Sequence, residues 1–191
     1  MHSFLRHTLT FTAATLLVAS TGAAQQQSPA PRAGIMGELM TDVAGVQKKL
    51  DGLAREMPQE KYDWRPAADV RSVSEVFLHV AGENYGIPAA VGVPADPVTG
   101  LKATDFAAVT KFEKQQLSRD EMVQEIDRSF AYLLKAMKDT PNAKLDQKVT
   151  FFGHQMTRRA VWVAAVNHMH EHLGQAIAYA RSNGVVPPWS R

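Results

Sequence analysis

Three histidines stand at alternate positions in "AAVNHMHEHLGQAIAYAR", the stretch from Ala164 to Arg181: His168, His170 and His172. Imidazole both ligates metals and carries protons near neutral pH, so the first question is which of these rings can share a site. The stretch reads as a helix. On a wheel of about 100° per residue with His168 at zero, Val161, Ala165, His172, Ala176 and Tyr179 fall between about 20° and 80°. Trp162, Val166, Met169 and Leu173 follow at about 100–160°. His168 and His172 therefore join one inward arc. His170 sits at about 200°, on the opposite side with Asn167, Glu171, Gly174 and Arg181. The chemical pair is i, i+4, with Cβ atoms ~6 Å apart, which lets two imidazoles reach one metal ion. The alternative is a pair of core histidines satisfied by side chains or water. Two inward rings without partners would be unfavourable, and two protonated rings would repel each other.

A third ligand must come from another element. His79 lies on the stripe of Val73, Val76, Phe77 and Val80, so it also faces inward. Glu83, one turn later, shares that face. An inward carboxylate in an apolar helix calls for a cation, a metal or a histidine N–H. Glu83 is thus a candidate fourth ligand, acceptor behind a ligand, or proton shuttle, and otherwise a rim residue paired with Arg or Lys. Gln175, a turn beyond His172, is placed to orient a ligand. His154, beside Gly153, reads as a surface residue at a loop tip.

The elements that must position these groups follow from periodicity and end signals. Ile35, Leu39, Val43, Val46, Leu50 and Leu53 recur at helical spacing and predict a first helix to about Met57, with Pro58 as its stop. "EKYDWRPAADV" is a loop with an aromatic plug, Trp64. Ser72 and Glu75 have capping-box spacing and open a second helix expected to fray by Gly86 or Pro88. The segment "GIPAAVGVPADPVTGLKATDFAAV" holds three prolines and three glycines and reads as a long irregular crossover with at most a short helical turn. Ser118 and Glu121 repeat the capping signal for a third helix, striped by Val123, Ile126, Phe130, Leu133 and Met137 and ended by "DTPN". "DQKVTFFGHQMT" alternates around Gly153 and predicts a small hairpin. Thr157 caps a fourth helix that runs to Asn183-Gly184, a helix-ending pair. The fold class is all-α: a four-helix bundle over residues 35–184, with a long crossover between helices two and three and a hairpin before helix four.

The termini and composition narrow the functional classes. Residues 1–24 carry a short basic start, an apolar run too short to span a bilayer, and small residues before a cut after Ala24. That is the pattern of a secretory signal peptide, which makes the mature protein periplasmic or secreted, with no membrane span once the leader is cut. Residues 25–34 are a polar, Pro-containing linker expected to be disordered, and residues 185–191 a short tail. The formal net charge is +2, and losing Arg6 with the leader leaves +1; with no basic patch, nucleic acid is not an expected partner. With no Cys in the chain, disulfides, a thiolate nucleophile, Cys-ligated zinc and covalently attached c-type haem are excluded.

With His79 and "HMHEHLGQ" both in view, the chain resembles the DinB-like (DinB/YfiT) family of metal-binding helical proteins. The resemblance runs from about Ile35 to Arg181. It rests on "YDWRPAADVRSVSEVFLHVAGEN" in the first half and "TRRAVWVAAVNHMHEHLGQAIAYAR" at the end. It implies one metal-binding histidine on the second helix and two, four residues apart, on the fourth, with a Gly-Gln dipeptide close behind. These map to His79, His168 and His172, with Gly174-Gln175 after Leu173. It also implies a four-helix bundle with a crossover between helices two and three, a homodimer in many members, and in some relatives transferase chemistry in which the metal binds a low-molecular-weight thiol. The export leader departs from the family pattern, and because such thiols are scarce outside the cytoplasm it weighs against that chemistry here.

Three neutral imidazoles leave a divalent ion, Zn²⁺ or Ni²⁺ first among them, with an open position. The leading expectation is a metal-dependent hydrolase or thiol-type transferase acting on a small molecule. The alternative is a non-enzymatic metal-binding bundle. A b-type haem bundle with His and Met ligands is the weaker third reading, because Met at helical spacing is ordinarily core filler. No Ser-His-Asp arrangement, phosphate-binding glycine loop or nucleotide motif is present in the sequence.

Overall fold

The computed structural model describes residues 33–191. The expected leader, residues 1–24, and most of the linker lie outside the described residues. Four long helices carry the fold: α1 (Ile35–Glu56), α2 (Val73–Ala90), α4 (Arg119–Asp139) and α5 (Arg158–Ser182). A shorter α3 (Phe106–Glu113) lies within the crossover. α1 and α2 each pack against both α4 and α5, so the order around the bundle is α1, α4, α2, α5. The all-α class and the crossover stand as expected. No helix among the described residues is long and apolar enough to cross a membrane.

Both capping boxes form. Ser72 accepts from the Glu75 N–H while Glu75 accepts from the Ser72 N–H, and Ser118 with Glu121 does the same at α4. Each box satisfies two of the four orphan donors at a helix start, so the chain enters α2 and α4 at defined residues. Thr157 caps α5 through the Ala160 N–H. The hairpin pairs β1 (Lys148–Phe151) with β2 (His154–Thr157), and Phe151 faces His154 across a two-residue turn. Phe152 and Gly153 both have positive φ there, 47° and 80°, the pattern of a type I′ turn.

The structure corrects three sequence expectations. Met36, not Ile35, is the first core residue of α1; Ile35 is 38% exposed. α2 does not fray by Gly86 but continues through Pro88 to Ala90. Gly86 is where the crossover crosses the helix, since a Cβ there would lie 2.5 Å from the Ala103 amide nitrogen. The crossover is also more regular than expected. Asp105 accepts from the Ala108 N–H and starts α3, a helix of 8 residues. The short tail packs on α1: Pro188 and Trp189 cover Gly52, and Arg191 pairs with Glu56.

α2 is buried from Val73 to Pro88 on every face because α3 covers the side that the bundle leaves open. This explains its sequence, "VSEVFLHVAGENYGIPAA", which is apolar nearly all round rather than along one stripe. Its polar residues must therefore find internal partners. Asn84 donates to Ser129 on α4, and His79 meets Glu113 of α3 and His168 of α5.

Candidate metal centre

α2 and α5 bring three ring nitrogens together. His168 Nε2 lies 3.1 Å from His79 Nε2 and 3.1 Å from His172 Nε2. Two nitrogens bound to one zinc at 2.0–2.1 Å and a tetrahedral angle are about 3.3–3.4 Å apart, so this spacing is that of a ligand set sharing an ion. Among the described residues, the group of side chains whose ligand atoms converge within 4.8 Å comprises His79, His168 and His172 alone. His170 is excluded, as the wheel indicates: it is exposed and meets Asp42 at 3.0 Å. His154 is exposed on β2.

The partners behind the rings fix which nitrogen faces the centre. His79 Nδ1 donates to Glu113 Oε1 at 2.7 Å, and Arg71 holds the same carboxylate through Nε at 2.8 Å and Nη2 at 3.2 Å. His172 Nδ1 donates to Gln175 Oε1 at 2.9 Å. The Gln175 amide in turn donates to the Tyr179 hydroxyl, and Trp64 packs edge-on to the Tyr179 ring. With both Nδ1 protons engaged, the Nε2 atoms of His79 and His172 present bare lone pairs toward His168. One proton on His168 Nε2 can serve only one of them at a time. A cation at the centre would satisfy all three, and an outward N–H bound to a carboxylate or carbonyl is the usual support of a metal-ligating imidazole. The residues fit a divalent ion.

Burial favours the neutral form of His168 and His172. Burial pushes His168 down to about 3, helped by the nearby His172, His79 and Arg71. Burial also lowers His172, against the hydrogen bond to Gln175. Burial alone would raise the Glu113 carboxyl, but the His79 hydrogen bond and the Arg71 ion pair outweigh it and hold the group below the usual carboxylate range. Glu83 goes the other way: burial raises it, and the Glu113 charge adds to the effect against His79 and Arg71.

Glu113, which the sequence reading did not single out, takes the position behind His79 for which Glu83 was one candidate. Glu83 is 8% exposed and beside the site, yet it lies outside the converging set. The carboxylate behind His79 is Glu113, on the short helix within the crossover. The signal for Glu113 was present in the sequence. Asp105 is an N-cap, and Val109, Phe112 and Glu113 follow at helical spacing, which turns a glutamate inward. Arg71 carried no sequence signal of its own. Gln175 stands where expected, against His172.

A bundle closed by a crossover helix, with three inward imidazoles from its second and last helices, defines a class of helical proteins with a histidine cluster. The DinB superfamily model matches residues 43–176, most of the chain, and the chain belongs to that superfamily. Solved structures with the same fold include a DinB-like protein from Bacillus cereus ATCC 10987, with TM-score 0.67 and 16% identity over 81% of this chain and 95% of that one. A DinB-like protein from Bacillus subtilis has TM-score 0.59 and 15% identity, covering 78% of this chain and 93% of its own. A conserved protein from Enterococcus faecalis has TM-score 0.65 and 15% identity, covering 78% and 97%. No curated protein sequence matches the chain.

Proposed function

We infer that the protein holds one divalent ion, zinc or nickel, on His79, His168 and His172, and uses it to hydrolyse or transfer a group of a small molecule. The observation that carries this reading is the pair of 3.1 Å Nε2 separations, with the outward nitrogens of two rings already engaged. A divalent ion held by these residues would supply Lewis acidity, polarising a carbonyl and lowering the pKa of a bound water or thiol. Glu113, held by Arg71, orients His79, while Gln175, held by Tyr179, orients His172. Glu83, buried one turn beyond His79 and with its carboxyl raised by burial, is the residue we assign to take or give a proton. The leader-like residues 1–24 support an exported protein and favour hydrolysis over use of a cytosolic thiol.

Elemental analysis of tag-free protein tests the metal. One ion per chain, lost in His168→Ala, is expected; no bound ion even after zinc or nickel is added back would refute it. A panel of ester, amide and thiol substrates then tests turnover, which Glu83→Gln should lower without changing metal content.

One observation favours a second reading, in which the ion only ties α2 to α5. The cleft beside the site, about 530 Å³, is lined by Arg71, Glu113 and Gln175, the residues behind the rings, and not by the rings themselves. A purely structural ion predicts a large fall in melting temperature for His79→Ala and no turnover with any substrate of the panel.

A further inference from the structure

A second cleft, of about 540 Å³, opens where the crossover leaves α2 and passes the end of α4. It is remote from the histidines: Val91, just past the end of α2, is twelve residues beyond His79, and Arg158 on α5 is ten residues before His168, about 18 and 15 Å along the helices. Its walls are apolar, formed by Val91, Val93, Pro94, Pro97 and Ala136. Its charges do not balance. Lys135 pairs with Asp139, but Arg158 and Lys144, which also line the cleft, form no ion pair with any carboxylate among the described residues.

Arg158 is half-buried, and its guanidinium is only partly used. Nη1 donates to the Val91 carbonyl, which ties the first residue of α5 to the end of α2. Nε is buried without an acceptor, and among the described residues no acceptor meets Nη2. Gly92 leaves Nη2 clear of a side chain: its φ is +81°, and a Cβ there would sit 3.4 Å from Nη2. Arg158 therefore keeps one buried N–H without an acceptor and a second donor free of ion pairing at the wall of an apolar cleft, a setting that favours an anion. The Nε–Nη2 edge is the side of a guanidinium that a carboxylate meets with both oxygens. The cleft volume falls in the range of small-molecule sites.

We propose that this cleft binds a small amphiphilic carboxylate, its apolar body against Val91, Val93, Pro94 and Pro97 and its carboxylate on Arg158, with Lys144 adding attraction at the rim. The site is independent of the histidine cluster. Binding of octanoate to the full chain, measured by calorimetry beside 1-octanol and octylammonium, tests it. One saturable site is expected, at least tenfold tighter for octanoate than for 1-octanol and absent for octylammonium. Arg158→Gln should weaken octanoate by about ten- to a hundredfold, the range for losing a charge-assisted hydrogen bond. His168→Ala should leave octanoate binding unchanged, so failure here and failure of the metal reading are separable. If Arg158→Gln does not fold, Lys144→Glu on the exposed rim is read instead and should weaken binding several-fold. Equal affinity for octanoate and 1-octanol, no saturable site, or octanoate affinity unchanged in a folded variant would overturn the proposal.

Discussion

Glu113→Gln asks whether the short crossover helix tunes the histidine cluster. The substitution keeps the size of the side chain but replaces one acceptor oxygen by a donor. Glu113 now receives three hydrogen bonds, one from His79 and two from Arg71. If the amide oxygen faces His79, the amide N–H₂ meets an Arg71 donor. If it faces Arg71, the amide donates to His79 Nδ1, moves the ring proton to Nε2 and blocks the lone pair needed at the centre. Either way the ring is less ready to ligate. Loss of such a supporting partner ordinarily lowers metal affinity by about 10–100-fold, or roughly 1.4–2.8 kcal/mol. The metal-free protein should lose less. The Arg71 side chain is 39% exposed, so water replaces much of that ion pair. A loss of about 1–2 kcal/mol corresponds to roughly 2–8 °C in melting temperature for a domain of this size. The assay is zinc competition against a chromophoric chelator, paired with thermal unfolding with and without EDTA, and His79→Ala as the reference for a lost ligand. Zinc affinity within twofold of the parent, while His79→Ala abolishes binding, would show that Glu113 does not prepare the ring.

Three further outcomes follow from the packing and charges. His170→Ala should leave metal content unchanged and alter stability by less than about 0.5 kcal/mol, since its partner Asp42 is exposed and surface pairs contribute little; denaturant unfolding and elemental analysis check both. Gly86→Ala should destabilise despite a helix-propensity gain of about 1 kcal/mol, because its Cβ would lie 2.5 Å from backbone at Ala103. Gly45→Ala, mid-helix in α1 with open space, should stabilise by about 0.5–1 kcal/mol, and a reversed order of the two melting temperatures would contradict the packing. Glu75 is buried, which alone would raise its carboxyl, but Lys114, the Ser72 N–H and Arg65 outweigh this and lower it. A carboxyl depressed in the folded state stabilises above its unfolded pKa of about 4.3 and loses that contribution as pH falls through the folded value. Glu75→Gln should therefore be less stable than the parent at pH 7, with a gap that narrows below about pH 4; a gap that widens in acid would reverse the sign.

Much of the helical frame is legible in the sequence because its signals are local. The stripes of α1, α4 and α5 repeat every three or four residues, and Ser72/Glu75 and Ser118/Glu121 mark where two helices start. α3 is harder to see because a helix of 8 residues between prolines and glycines offers barely two turns of pattern. Pro88 falls inside α2 because its lost N–H removes one bond near the helix end, while burial holds the remainder in place.

The sequence by itself determined which histidines share a face. Angular position on a helix depends only on residue spacing, so His168 and His172 fall together and His170 falls away whatever the rest of the chain does. Tertiary structure alone decided that His79 meets them at 3.1 Å, and that Glu113 rather than Glu83 stands behind it. Those distances depend on how α2 packs on α5 and on the path of the crossover, and contacts between residues far apart in the chain leave no periodic trace in it.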